Sequence, residues 1–273
     1  MGGSSEEFRV PVGGTYMTVI RFGQGTKRFV MLPGVSLTGL SGMGEAVAGA
    51  YQAIAETYTV YLIDYRHEAV PDCTVQDLAE DVYHVMKVLG IRAADVYGVS
   101  LGGMTAQVLA LKHPECVHKA VVCSAMCCGN ELIYGVAKEW IRTAEQGDVI
   151  AMNRCFFRTI YSEKFREMNR EALKAAETVG TEEDLERLRI LTGTLLKFDI
   201  SAEVGKIECP VLVLGDEEDR VTGAEGARLI AEKIGCELYL YRGYGHAVYD
   251  EAPDIKERIL KFLTDEAEGE NSK

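Results

Sequence analysis

Apolar and polar positions follow two different rhythms along the chain. Residues 8–12 and 15–22 are short alternating runs on either side of Gly13-Gly14, which together predict a β-hairpin. Residues 28–32 form an apolar run that stops at Pro33-Gly34, a pair that breaks regular structure. Over 41–57 the rhythm becomes helical, with Met43, Val47, Ala50 and Ile54 on one face. A β-branched and aromatic strand follows at 58–64. Residues 74–89 predict an amphipathic helix, because Val75, Leu78, Val82, Val85 and Leu89 share a face. Thr74 can cap it with Asp77 three residues on, and Gly90 ends it. Strand 95–98, helix 101–113 and strand 120–124 continue the alternation. Strands and helices in this order predict an α/β fold: a mostly parallel sheet flanked by helices on both faces.

Between about 129 and 207 the alternation breaks. Helical patterns at 132–146, 148–161, 166–178 and 182–198 follow one another with no strand between them. A helical insertion of this kind is a candidate lid. Strand 211–214, helix 223–233, strand 237–241 and helix 253–263 then resume the earlier order. The expected organisation is an α/β core in two parts, 1–128 and 208–264, with a helical lid or cap at 129–207. The polar tail at 265–273 is expected to be disordered. A length of 273 residues suits one large α/β domain with such an insertion.

Composition narrows the partners. The chain is 47% hydrophobic and 26% charged, ordinary globular usage. Its 42 acids against 29 Lys and Arg leave a net charge of −13, which repels phosphate backbones and anionic lipid. Nucleic-acid and membrane partners are therefore not expected. No apolar stretch has the length of a membrane span, and the acidic start lacks a secretory-signal pattern. The 8 Cys form no CxxC and no Cys/His metal spacing. They are expected to be small buried hydrophobes in a reducing compartment, with a cytoplasmic location and no cofactor or metal. A monomer or homodimer is expected.

The strongest chemical signal is Gly98-Val99-Ser100-Leu101-Gly102, followed by Gly103. It is a G-x-S-x-G with a strand before it and a helix after it. Such a turn is so tight that only glycines beside it allow the chain to pack, and it projects the serine hydroxyl from the sheet edge. Serine needs a general base. Of the five histidines, His246 sits in the loop Gly243-Tyr244-Gly245-His246 directly after the last strand, which brings it to the same carboxyl edge. His67 is a pocket candidate only. An orienting carboxylate is expected after strand 211–214, in Gly215-Asp216-Glu217-Glu218-Asp219. Asp219, at the turn into the next helix, is favoured, with Asp216 as the alternative. The order Ser, Asp, His is that of one triad fold and not of the other two well-known ones. The oxyanion donors are expected to be the amides of Leu101 and Val35.

On these residues the chain resembles the α/β-hydrolase superfamily, of the small lid-bearing esterase, lipase and C–C hydrolase type. The likeness runs from about 8 to 263. Gly98 to Gly103 is similar to the family's nucleophile elbow, Gly215 to Asp219 to its acid turn, and Gly245-His246 to its histidine loop. Two features depart from the pattern. Pro33-Gly34 stands where many relatives have His-Gly, and Asp219 follows Gly215 by four residues where three is common. Ser100 stands in place of the aspartate of haloalkane dehalogenases, which disfavours that branch. The resemblance implies a serine esterase acting on a small to medium carboxylic ester through an acyl-enzyme, and the apolar bias of the candidate lid residues favours an uncharged one. Met126, Trp140, Phe156 and Tyr161 are the pocket candidates, and Arg142, Arg154 and Arg158 could supply an anion handle. A C–C bond hydrolase, lactonase or aminopeptidase of the same fold, or a low-turnover hydrolase-like receptor, are the alternatives.

Overall fold

The computed structural model describes residues 4–265. The expected tail therefore lies, from 266 onward, outside the described residues. In chain order the elements are β1 (Glu6–Val12), β2 (Thr15–Phe22), β3 (Lys27–Leu32), α1 (Gly44–Ala50), α2 (Gln52–Ala55), β4 (Tyr58–Arg66) and α3 (Val75–Val88). There follow β5 (Ala94–Val99), α4 (Leu101–Lys112), β6 (Val117–Cys123), α5 (Glu131–Ala144), α6 (Val149–Ile160), α7 (Glu163–Met168), α8 (Arg170–Ala176) and α9 (Glu182–Leu195). The chain ends through β7 (Val211–Asp216), α10 (Ala224–Ile234), β8 (Glu237–Tyr241), α11 (Val248–Glu251) and α12 (Ile255–Thr264).

The eight strands form one sheet in the order β1-β2-β4-β3-β5-β6-β7-β8. The first pairings, β1 with β2 and β2 with β4, are antiparallel. Every later pairing is parallel. The hairpin between β1 and β2 turns at Gly13 and Gly14, both at positive φ, as the glycine pair predicts. Strand residues alternate between two apolar layers. Val30 and Leu32 of β3 face one, Phe29 and Met31 the other. Helix α4 is buried on all sides over Leu101 to Ala110, so it runs through the interior beneath the sheet.

The order β4-β3-β5 places the reversal of winding between β3 and β5. In such sheets the carboxyl ends flanking that point diverge and leave a crevice. Here the turn after β3 and the turn after β5 face one another across it. Helix α3 carries the expected cap: Thr74 Oγ1 accepts from Asp77 N at 3.2 Å and Asp77 Oδ2 from Thr74 N at 2.8 Å. Two helical expectations are corrected. The pattern at 41–57 is two short helices, because the backbone at Tyr51 leaves helical geometry (φ −112°, ψ 25°). The pattern at 166–178 is likewise broken at Asn169, whose side chain donates back to Phe165 O at 3.0 Å.

Helices α5 to α9 are inserted between β6 and β7. The two ends of the insertion are pinned to each other by Ile200 N to Cys127 O at 2.8 Å and Gly129 N to Phe198 O at 3.2 Å. Two further links fix it to the core. Arg187 of α9 makes a buried ion pair with Asp64 of β4 at 2.8 Å, and Ala247 N donates to Ile160 O at 3.0 Å. All eight cysteines are free thiols. No helix among the described residues is long and apolar enough to cross a membrane.

Candidate active site

Ser100 stands between β5 and α4 with φ 53° and ψ −119°. A non-glycine residue there is strained by about 1–3 kcal/mol and must be held by its surroundings. Close packing does the holding. A Cβ on Gly98 would lie 2.1 Å from the Gly102 carbonyl oxygen, and one on Gly102 would lie 2.1 Å from Leu32 O and 2.6 Å from Pro33 O. Both glycines are therefore required by backbone approach, the second one against the turn after β3. Gly102→Ala is expected to force that turn away at a cost of about 3 kcal/mol, seen as a thermal midpoint lowered by roughly 6–12 °C. Gly135→Ala is the control. Its Cβ would meet nothing within 4 Å inside α5, and the change should stabilise by up to about 1 kcal/mol.

The three groups that sequence spacing assigns to one edge do meet there. His246 Nε2 lies 3.0 Å from Ser100 Oγ, and His246 Nδ1 lies 3.0 and 3.1 Å from the two Asp219 oxygens. His246 is 2% exposed and Asp219 7%, so the chain is desolvated. Asp219 also accepts from Val221 N at 2.7 Å, Thr222 N at 3.1 Å and Thr222 Oγ1 at 2.7 Å. Burial opposes its ionisation, but the neighbouring His246 ring and these hydrogen bonds outweigh burial and hold its carboxyl at about 2. Asp216, the alternative, does something else. It is fully buried and accepts from Glu218 N at 2.8 Å and Tyr244 N at 3.0 Å, tying the acid turn to the histidine loop. The departure in spacing is absorbed within this turn, which Asp216 closes while Asp219 reaches the imidazole.

Three supporting residues carry no signal in the sequence. Thr222 orients Asp219 as just described. Ser124, after β6, sits at φ 49° and donates its hydroxyl to the His246 carbonyl at 2.8 Å. Tyr65 donates its hydroxyl to Pro33 O at 2.8 Å and anchors the turn after β3. That turn touches the serine directly: a Cβ on Gly34 would lie 3.1 Å from Ser100 Cβ. The amides of Val35 and Leu101 have no acceptor among the described residues.

A cavity of about 430 Å³ opens beside the elbow, walled by Leu32, Gly34, Val35 and Val99 on the core side. Helix α6 closes it with Phe156, Phe157 and Ile160, and Tyr161 follows. Two of the four pocket candidates, Phe156 and Tyr161, thus line it. Met126 and Trp140 do not, which corrects the expectation for them. Met126 is fully buried beneath α10, against Gly226, and Trp140 is buried in the insertion's own core with its ring 4.7 Å from that of Phe156. His67 stacks on Tyr16 at 4.7 Å and lines a separate cavity. Arg154 and Arg158 are paired on the surface with Glu177 and Glu139. No cluster of His, Cys, Asp or Glu among the described residues could hold a metal.

Comparison with known proteins agrees with this architecture. The family model described as Serine aminopeptidase, S33 matches residues 67–253. A protein of Caulobacter sp. (strain K31), named as a carbamate hydrolase, RutD, is 27% identical over 241 residues, covering 84% of this chain and 89% of that protein. Among solved structures, the α/β-hydrolase enzyme MGS-M2 from a Medee basin deep-sea metagenome library superposes with a TM-score of 0.86 at 19% identity, covering 97% of this chain and all of that one (100%). The enol-lactonase of Burkholderia xenovorans LB400 does so with 0.81 at 21% identity, covering 94% and 100%. With its sheet order, its serine elbow and the matched family model in agreement, the chain is a hydrolase that belongs to the α/β-hydrolase superfamily, in the family described as Serine aminopeptidase, S33.

Proposed function

We propose that this hydrolase cleaves a small to medium carboxylic ester through a Ser-His-Asp triad and an acyl-enzyme. The observation that carries the reading is the unbroken hydrogen-bonded chain from Ser100 Oγ through His246 to Asp219. His246 takes the proton as Ser100 Oγ attacks the carbonyl carbon, and Asp219 holds the imidazole in its tautomer and stabilises the imidazolium. The Val35 and Leu101 amides, which are free of other acceptors, receive the oxyanion. His246 returns the proton to the leaving alkoxide. Water, activated by the same ring, then releases the acid and restores Ser100. Helices α5 to α9 act as a lid over the cavity in this reading, with α6 its inner wall.

A second acyl donor, a carbamate or a lactone, is favoured by the names of the RutD and enol-lactonase relatives. The same attack and the same oxyanion donors serve both. The test is a panel: p-nitrophenyl esters from acetate to decanoate, a p-nitrophenyl carbamate, a lactone and an aminoacyl p-nitroanilide. The cavity's apolar wall and size lead to a maximum in kcat/KM at medium acyl length. A carbamate or lactone turned over more than tenfold faster than every ester would replace the ester reading with the second one.

A further inference from the structure

We propose that Arg187 is a positioning residue, which through Asp64 couples the seating of the helical insertion to the placement of the turn that carries Val35. The inference rests on the serine-hydrolase reading, in which the Val35 amide receives the oxyanion, and adds to it what holds that amide in place. Residues 34–39 make no backbone–backbone hydrogen bond among the described residues. The segment is therefore held from outside, and the end of β4 holds it twice. Tyr65 fixes its start through the hydrogen bond to Pro33 O. Asp64 fixes its far end, where Oδ2 accepts from Leu40 N at 3.0 Å. The approach is close: a Cβ on Gly39 would lie 2.9 Å from that same oxygen.

The other oxygen of Asp64 faces the insertion. Arg187 of α9 donates from Nη2 to Asp64 Oδ1 at 2.8 Å and from Nε to Arg66 O at 3.0 Å. Asp64 is 4% exposed and Arg187 6%, so removing either charge strands the other away from water. One carboxylate thus bonds the loop with one oxygen and the insertion with the other. Arg187 does not line the cavity beside Ser100. It lines a neighbouring cavity of about 820 Å³ together with Asp64, and so acts on the reaction through its partners. Stability alone is a poor account of the pair. A buried ion pair contributes little net stability against apolar residues of the same size, and Arg187 Nη1 is buried with no partner, a further cost. Without the guanidinium, a carboxylate in this place must take up a proton or draw in water. Either change disturbs the acceptor that Leu40 N depends on, and the Val35 amide moves with the loop. A shift of about 1 Å at such a donor costs on the order of 10²-fold in rate.

Arg187→Ala tests the coupling. On the substrate of the panel that the wild type turns over best, kcat per folded molecule should fall by about 10–100-fold, with KM within about threefold. A purely structural residue would lower the thermal midpoint and leave both constants alone. Guanidinium chloride at millimolar concentration is the second readout, because the cavity shared by Asp64 and Arg187 gives a small cation a way in. It should raise kcat of the alanine variant by about fivefold or more and leave the wild type unchanged, whereas ammonium chloride should not raise it. Should the alanine variant fail to fold, Arg187→Gln carries the same test, since it keeps a long side chain and drops the charge. Its kcat should fall about tenfold at unchanged KM. Wild-type kcat in a folded variant, or guanidinium that restores the thermal midpoint and not kcat, would overturn the proposal. Failure of the serine-hydrolase reading looks different: the wild type turns over nothing in the panel and fluorophosphonate does not label Ser100.

Discussion

Ser100→Ala should abolish turnover of every substrate the protein hydrolyses, lowering kcat by about 10⁴–10⁶-fold. That corresponds to about 5–8 kcal/mol of barrier. The size of the effect follows from geometry. Ser100 Oγ is the only atom removed, and its partner in the protein is His246 Nε2 at 3.0 Å. What is left is the turn after β3 and the cavity, and in enzymes with such a triad the remaining site gives about 10³–10⁴-fold acceleration over water. The backbone strain at φ 53° is untouched by the change, because alanine has the same Cβ. The variant should therefore keep its fold and a thermal midpoint close to that of the wild type. It should also lose labelling by a fluorophosphonate probe. Rates matching the wild type, in a variant that no longer carries the hydroxyl, would remove Ser100 from the mechanism and with it the acyl-enzyme.

The sheet was legible because parallel strands covered on both faces must be continuously apolar, as in 211–214 and 120–124, and few other structures need that. The elbow was legible for a related reason. Gly98 and Gly102 are each forbidden a Cβ by carbonyl oxygens 2.1 Å away, so the constraint appears in the sequence as glycine itself. Side-chain facing inside the insertion was not legible. Trp140 and Phe156 touch one another, yet Phe156 reaches the cavity and Trp140 does not. Both are apolar positions on amphipathic helices, and the choice between them is made by how α5 and α6 pack. The choice between Asp216 and Asp219 was hidden for a different reason. Both acids are buried and both accept backbone amides, so composition treats them alike until the turn is closed in space. Ser124 shows the limit for backbone strain. A positive φ announces itself when the residue is glycine, and it leaves no trace when the residue is a serine held by a hydrogen bond to His246 O.

Asp219→Asn should lower kcat by about 10⁴-fold at pH 7 while the protein remains folded. Both carboxylate oxygens are occupied. One accepts from Val221 N and Thr222 N, the other from Thr222 Oγ1, and both lie within 3.1 Å of His246 Nδ1. An asparagine keeps one acceptor and turns the other position into a donor. That NH₂ faces the imidazole and favours the tautomer with Nδ1 bare and Nε2 protonated, so His246 can no longer take the serine proton. The substitution also carries a pH signature in stability. The folded-state carboxyl is held at about 2, below the ordinary value near 3.9 of an unfolded chain. A group depressed in this way contributes stability that is complete above about pH 4 and is lost as the pH falls from about 4 towards 2. Asparagine does not titrate. The stability difference between wild type and Asp219→Asn, measured by urea unfolding at a series of pH values, should therefore be largest at pH 5 and above and should shrink through that acid window. A difference that stayed constant from pH 7 down to pH 2.5 would mean that Asp219 is not held ionised by its partners. The tautomer argument would then lose its electrostatic basis, even if the rate had fallen as expected.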